Sequence, residues 1–167
     1  MVVDERQSRP VVPTIRLSCL AAGTAIWTER GFRPVEQILP GDRVLSKEIG
    51  SGELSYKPVL LTTVREPTSV HKFHIEDDEI VASKGHHFWV SGEGWTKNRE
   101  LLPRQPLHTA TGMRRIVSVV DEGHVEKVYN LVVADFHTYF VGKSMILSHD
   151  VTTPSLTNVK VPGLVSK

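Results

Sequence analysis

Apolar residues in this chain fall in short runs, alternating with polar ones or rich in valine, isoleucine and aromatics, and turn residues break them roughly every 8–12 positions. That spacing predicts strands over Thr24–Thr28, Arg43–Lys47, Leu54–Val64, His71–Ile75, Glu79–Ala82, Phe88–Val90, Arg115–Val120, Lys127–Val133, Thr138–Val141 and Met145–Leu147. Gly50-Ser51-Gly52 and Asp77-Asp78 have the composition of hairpin loops, because glycine and aspartate tolerate the backbone angles of a tight reversal. Sustained i, i+3, i+4 spacing is absent, so helix is confined to single turns at Pro34–Leu39 and Trp95–Leu102. Residues 1–17, with Pro10 and Pro13, read as an extended lead-in, and residues 151–167 as a short, loosely held tail.

The pattern also repeats. Shifted by 63 positions, Gly31-Phe32 falls on Gly94-Trp95, Leu39-Pro40 on Leu102-Pro103 and Val44 on Leu107. On the same shift, Ala25-Ile26-Trp27 falls on Phe88-Trp89-Val90. The shared order of strand, turn, short helix and strand predicts two similar β units folded against each other. The segments of Cys19 and His86 then occupy related places, one in each half.

Composition narrows the function classes. A chain of 167 residues fits one domain with an ordinary core, and 40% hydrophobic with 23% charged residues is the balance of a soluble protein. The formal charge is +1, with 20 basic and 19 acidic residues, and no basic stripe that nucleic acid would require. The first eighteen residues carry Asp4, Glu5, Arg6, Arg9 and Arg16 without an apolar run, so neither a signal peptide nor a membrane span is expected there. One cysteine excludes an internal disulfide and a Cys-rich zinc site, and it leaves the compartment undetermined.

That cysteine, Cys19, sits among small residues ahead of a strand. Read locally, it is either a buried core thiol or a nucleophile that needs a base or acid close by. Eight histidines are available: His71, His74, His86, His87, His108, His124, His137 and His149. His71 and His74 point to opposite faces of a strand, as do His86 and His87, which is poor chelating geometry, and no His-Glu-x-x-His helix is present. No metal or cofactor is therefore expected. Three histidines stand out by their neighbours. His86 closes the tight Ser83-Lys84-Gly85-His86 segment, His137 lies between two strands, and His149 ends one.

Here the chain resembles a family. Cys19 with the downstream Gly23-Thr24, the Ser83-x-x-His86 loop, and Tyr129-Asn130-Leu131-x-Val133 followed by His137-Thr138-Tyr139-Phe140-Val141 are similar to the ordered blocks of Hint domains. So is the terminal Ser148-His149-Asp150. Pro34-x-Glu36-x-Ile38-x-x-Gly41-Asp42-x-Val44 resembles the opening of bacterial intein-like and pretoxin-associated Hint modules. The likeness runs from Cys19 to Asp150, which sets the expected organisation: an N-terminal flank at 1–18, a Hint domain at 19–150 and a C-terminal tail at 151–167. No room is left for a homing-endonuclease insert.

The resemblance implies an all-β, horseshoe-shaped fold of two pseudo-symmetry-related subdomains with one or two short helical turns. It implies that the Cys19 thiol attacks the Ser18 carbonyl, so that an amide becomes a thioester. By the family pattern His86 protonates the leaving nitrogen, Ser83 stands where threonine is usual, and His137 assists at one end or the other. His149 and Asp150 occupy the C-terminal cleavage positions. The partners implied are the domain's own flanking polypeptide and, as acceptor, water or an external nucleophile; no nucleic acid or membrane is called for, and the chain is expected to be a monomer.

Three departures weigh against splicing. Asp150 replaces a terminal asparagine, and a carboxyl with a reference pKa of about 3.9 is mostly an anion at neutral pH, so it must form an anhydride slowly and with help from acid. Val151, the next residue, has no nucleophile to receive a transferred chain. Asn130 replaces a frequent aspartate and can hydrogen-bond but not exchange protons. Release of a C-terminal toxin also fits poorly, since only 151–167 follow. Two readings remain: a self-cleaving module acting at Ser18–Cys19, or a catalytically degenerate Hint fold serving as a structural or interaction module. A conventional cysteine protease is disfavoured, because no papain-like surround accompanies Cys19.

Overall fold

The computed structural model describes residues 19–121 and 125–150; the lead-in with Ser18, the tail from Val151 onward and His124 lie outside them. Strand is the dominant element of the described chain, and no helix in it exceeds a single turn. β1 (Leu20–Ala21), β2 (Ala25–Thr28), β3 (Gly31–Pro34) and β4 (Arg43–Lys47) lead into β5 (Leu54–Ile75), the longest element. β6 (Asp78–Ser83), β7 (His87–Val90), β8 (Gly94–Lys97), β9 (Pro106–Thr109) and β10 (Gly112–Arg115) follow. The order closes with β11 (Ser118–Val120), β12 (Val125–Val133), β13 (Thr138–Val141) and β14 (Ile146–His149). Single 3₁₀ turns occupy Val35–Gln37 and Asn98–Glu100. No helix among the described residues is long and apolar enough to cross a membrane.

The strands pair in the order β10-β9-β7-β14-β13-β2-β4-β5-β12-β1-β6. β5 is the spine: its start pairs with β4, its middle with β12 and its end with β6 and β11. The sequence pattern breaks this strand near Pro67, yet it runs through. Pro67 falls where the β5–β12 register shifts between Glu126 and Val128, a bulge at which the missing N–H removes no ladder bond.

The internal repeat is visible in the fold, with one correction to its alignment. β2 matches β7 at a shift of 62, whereas β3 matches β8 at 63, because the turn before Gly94 holds one more residue than the turn before Gly31. Trp27 then equates with Trp89, and each packs edge-on against its cross-strand partner, Phe32 and Trp95 respectively. The turns after the 3₁₀ segments match as well: Asp42 Oδ2 accepts the Leu39 N–H at 2.9 Å, and Gln105 Oε1 accepts the Leu102 N–H at 2.8 Å. The helix expected over Trp95–Leu102 shrinks to Asn98–Glu100, since Trp95–Lys97 is consumed by the β7–β8 hairpin.

One apolar cluster draws on both halves, with Leu20, Ile26, Phe73, Phe88, Leu131 and Tyr139 among its fully buried members. Phe73 and Phe88 meet edge-to-face at 5.2 Å, tying β5 to β7. Burying each such side chain contributes about 1.5–3 kcal/mol relative to exposure. The same packing leaves a seam of polar residues between β1, β6, β12, β13 and β14, where the sequence candidates collect.

Candidate functional site

Cys19 immediately precedes β1, and β1 is wedged between β6 and β12, with Leu20 opposite both Ala82 and Tyr129. Ser83 at the end of β6 grips Cys19 through both backbone groups. Its N–H donates to the Cys19 carbonyl at 2.9 Å, and its Oγ accepts the Cys19 N–H at 3.2 Å. The Cys19 nitrogen is the nitrogen of the Ser18–Cys19 peptide, so a hydroxyl lies directly on the bond singled out by sequence; Ser18 itself is outside the described residues. The Cys19 side chain is fully buried beside Val70, Val128 and Val81.

Ser83 also opens the tight turn that delivers His86, whose N–H donates to the Ser83 carbonyl at 3.1 Å. The first half builds the same turn over Ala21–Thr24, closed at 3.2 Å, again with glycine third. His86 is fully buried; its Nε2 is hydrogen-bonded to Ser148 Oγ at 2.5 Å, and its Nδ1 has no partner among the described residues. The ring packs on Phe88 at 4.9 Å and lies 6.4 Å from Tyr139. Burial above all, then the nearby His87 and His149, hold its pKa well below the ordinary 6.5, so the imidazole is neutral.

The C-terminal candidates form a second group. Asp150 is fully buried, and its Oδ2 accepts the Val133 N–H at 2.9 Å and faces His137 Nδ1 at 3.0 Å. Its carbonyl accepts the Asn130 side-chain amide at 2.9 Å, and its N–H donates to the His137 carbonyl at 2.9 Å. Burial pushes the Asp150 carboxyl up from its ordinary range, while His137 pulls it back. His137 is raised above 6.5, chiefly by its bond to Asp150. His149 Nδ1 lies 3.8 Å from Asp150 Oδ1, and its ring meets Trp95 edge-on at 4.9 Å. Burial and the neighbouring His137 and His87 bring His149 down to about 3, which keeps it neutral.

The fold thus brings Cys19 and Ser83 together, and Asn130, His137, His149 and Asp150 together, with His86 reaching toward the second group through Ser148. Val151 lies outside the described residues. His71 and His74 diverge: His71 sits in the β5–β6 ladder, its Nε2 without a hydrogen-bond partner among the described residues, and His74 meets Ser118 and Glu79. Among the described residues no group of three or more His, Cys, Asp or Glu side chains is placed to hold a metal ion.

Three residues were not singled out from sequence as site members. Ser148 contacts His86, and Tyr139 donates to Asn130 Oδ1 at 3.0 Å. Asn98 is buried, and its side-chain amide donates to the carbonyls of His71, Ala82 and Ser83 at 2.9, 3.1 and 3.3 Å, while its own N–H donates to the His86 carbonyl at 2.7 Å. It clamps the Ser83–His86 turn from outside. A signal for it exists in the repeat: Asn98 aligns with Val35, and an amide standing where the other half buries valine is a polar group with an assignment.

Comparison with known proteins agrees with this architecture. The pretoxin HINT domain family model matches residues 25–151. The solution structure of a bacterial intein-like domain from Clostridium thermocellum superposes with a TM-score of 0.73 at 32% identity, covering 79% of this chain and 98% of that one. A DnaB intein from Synechocystis sp. PCC 6803 gives 0.69 at 17% identity over 79% of this chain and 97% of that one. The DnaX mini intein from Spirulina platensis gives 0.68 at 20% identity over 79% and 99%; both share the fold. No curated protein matches the chain significantly. The Ser83 turn, the His137–Asp150 pair and the twofold β architecture are therefore features of a chain that belongs to the pretoxin Hint domain family.

Proposed function

We propose that this autoprocessing-type domain acts on its own flanking polypeptide by activating the Ser18–Cys19 peptide through an N-to-S acyl shift. The Cys19 sulfur attacks the Ser18 carbonyl carbon, the C–N bond breaks, and the thiol proton ends on the Cys19 nitrogen as a thioester forms. Water or an external nucleophile then discharges the thioester and frees the upstream chain. The observation that carries this reading is the 3.2 Å bond between the Cys19 N–H and Ser83 Oγ, which ties the leaving nitrogen to the turn that presents His86. A neutral His86 suits a proton carrier that takes the thiol proton and returns it to nitrogen, a role worth about 10²–10⁴ in rate.

At the far end, Asp150 has the parts for slow cleavage but not for ligation. Its Oδ1 has no hydrogen-bond partner among the described residues, and the Asn130 amide sits on its carbonyl oxygen, where negative charge develops during attack. Attack by that carboxyl on its own carbonyl carbon forms a cyclic anhydride and expels the Val151 nitrogen as an amine; water reopens the ring. Val151 offers no side-chain nucleophile, so joining of the two flanks is not expected.

The apolar surroundings of Cys19 favour a second reading, an idle thiol in a Hint fold kept as a structural or interaction module. One experiment separates them. A globular partner fused ahead of residue 18 is treated with hydroxylamine, and its mass is followed. Release as the hydroxamate, abolished by Cys19→Ala and by His86→Ala, supports autoprocessing. A fusion still intact after days across pH 5–9 leaves the structural reading.

A further inference from the structure

The pairing of His137 with Asp150 depends on where the backbone puts the ring. The His137 side chain is 40% exposed, so core packing does not fix it. Its backbone lies in an irregular connection. Asp135 and His137 both have left-handed φ, 65° and 58°, and the Phe136 N–H turns back to the Ala134 carbonyl at 2.7 Å. The first regular residue after this connection is Thr138, which opens β13 and faces His149 across the β13–β14 ladder. The bond from the Asp150 N–H to the His137 carbonyl lies one step beyond that pair. Whatever holds Thr138 therefore sets His137.

Thr138 is 1% exposed, and the element that grips it is β4, from the first of the two repeated units. Among the described residues no ladder joins β4 to β13; β2 pairs with each of them, at Val44 and at Val141. Side chains make the join instead. The Thr138 hydroxyl accepts the Lys47 N–H at 2.8 Å and donates to the Lys47 carbonyl at 2.8 Å, so one hydroxyl serves both main-chain groups as a neighbouring strand would. Ser46, fully buried, donates its hydroxyl to the Thr138 carbonyl at 2.7 Å, and its oxygen lies 2.9 Å from Thr138 Oγ1. Buried polar groups are costly to leave unpaired, which restricts the clamp to this arrangement. We propose that Thr138, clamped by Ser46 and Lys47, is a positioning residue for His137: it fixes the start of β13 so that the His137 ring holds Asp150 Oδ2 and leaves Oδ1 for attack on the Asp150 carbonyl. The proposal rests on the reading of Asp150 as the group that cleaves the C-terminal junction.

The test takes the whole chain, with Cys19→Ala to keep the N-terminal junction intact. Thr138→Val keeps the shape and removes the hydroxyl; Thr138→Ser keeps the hydroxyl. His137 faces Asp150 and, more weakly, Asp135, with His149 the other titratable group nearby, so its NMR titration reads the contact with Asp150. In Thr138→Val the midpoint is expected to fall toward 6.5, and in Thr138→Ser to stay at the wild-type value. Loss of residues 151–167 at pH 5 is expected to slow about 10- to 100-fold in Thr138→Val, beyond any loss of folded protein, and to recover in Thr138→Ser; that is the scale on which a misplacement of about 1 Å tells. Should Thr138→Val fail to fold, Ser46→Ala removes the serine's part of the clamp, leaves that of Lys47, and lowers the His137 midpoint by less. A His137 titration unchanged in the folded variants, with urea stability alone reduced, overturns the proposal. A wild-type chain that keeps residues 151–167 at pH 5 overturns instead the reading of Asp150, and it is told apart because the titration shift stays as expected.

Discussion

His137 and Asp150 hold each other twice: the ring Nδ1 lies 3.0 Å from the carboxylate Oδ2, and the His137 carbonyl takes the Asp150 N–H at 2.9 Å. The pair makes a definite pH statement. His137 has a folded pKa raised above 6.5, so its contribution to stability is full below the unfolded value and is lost as pH rises through the raised one. Asp150 is also raised, by burial, so the folded state holds that proton more tightly and stability falls as pH climbs from the ordinary carboxylate range through the raised value. Both act in one direction. Titration by NMR should place His137 above 6.5 in the wild type and lower in Asp150→Asn, where the carboxylate is gone; an unchanged His137 would remove the pairing from the account.

Asp150→Asn should also change chemistry at the C-terminal junction. An asparagine amide nitrogen attacks its own carbonyl to give a succinimide, whereas the aspartyl route passes through an anhydride and is helped by acid. Burial holds the Asp150 carboxyl above its ordinary range, yet the route still runs through an anhydride, so the asparagine variant is expected to cleave roughly tenfold faster or more at pH 7. Loss of residues 151–167 in a Cys19→Ala background, followed by mass at pH 7 and pH 5, gives the two rates. The wild type should gain on acidification and the variant should not.

Much of the scaffold is legible in the sequence because sheet burial leaves its trace: β2 and β7 alternate half-buried and buried along their length, and β13 is buried throughout. Where the trace fails, the reason is physical. All four residues of β10 are exposed, so no alternation exists to read, and β3 and β8 are short hairpin arms beginning at glycine. Cys19, Ser83, His86 and Asp150 were found through resemblance to an ordered set of blocks, since no local pattern distinguishes a nucleophile from a core thiol. Ser148 and Asn98 escaped because a serine in a strand or an asparagine beside a turn reads as solvent-facing; only tertiary packing turns them inward.

The left-handed backbone at His137, with φ of 58°, is what lets one residue offer both its ring and its carbonyl to Asp150. A side chain in that region costs about 1–2 kcal/mol that glycine avoids. His137→Gly and His137→Ala both lose the ring, so the difference between them isolates the backbone. Urea unfolding should find the glycine variant about 1 kcal/mol the more stable of the two, the lower end of that range because glycine also gives up more freedom on folding. Alanine equal to or better than glycine would remove the strained turn from the description.

Asn98 offers the most direct link between packing and the N-terminal junction. Its amide donates to the Ala82 and Ser83 carbonyls, and its N–H holds the His86 carbonyl, so the turn that places Ser83 Oγ on the Cys19 nitrogen is anchored at both ends. Asn98→Val copies the residue at the equivalent position of the first half, so the apolar shape is one this fold already accommodates, while the donors to three buried carbonyls are lost. Those acceptors retain part of their bonding in the β5–β6 ladder and the Ser83–His86 turn, and the cost in stability should be about 1–3 kcal/mol, as for a buried polar group left short of a partner. Because the clamp bears on the turn, hydroxylamine release should slow by more than the loss of folded protein accounts for. Comparing release rates with the folded fraction from urea curves, both at the same temperature, decides it: rates that track the folded fraction alone would reduce Asn98 to an ordinary core contact.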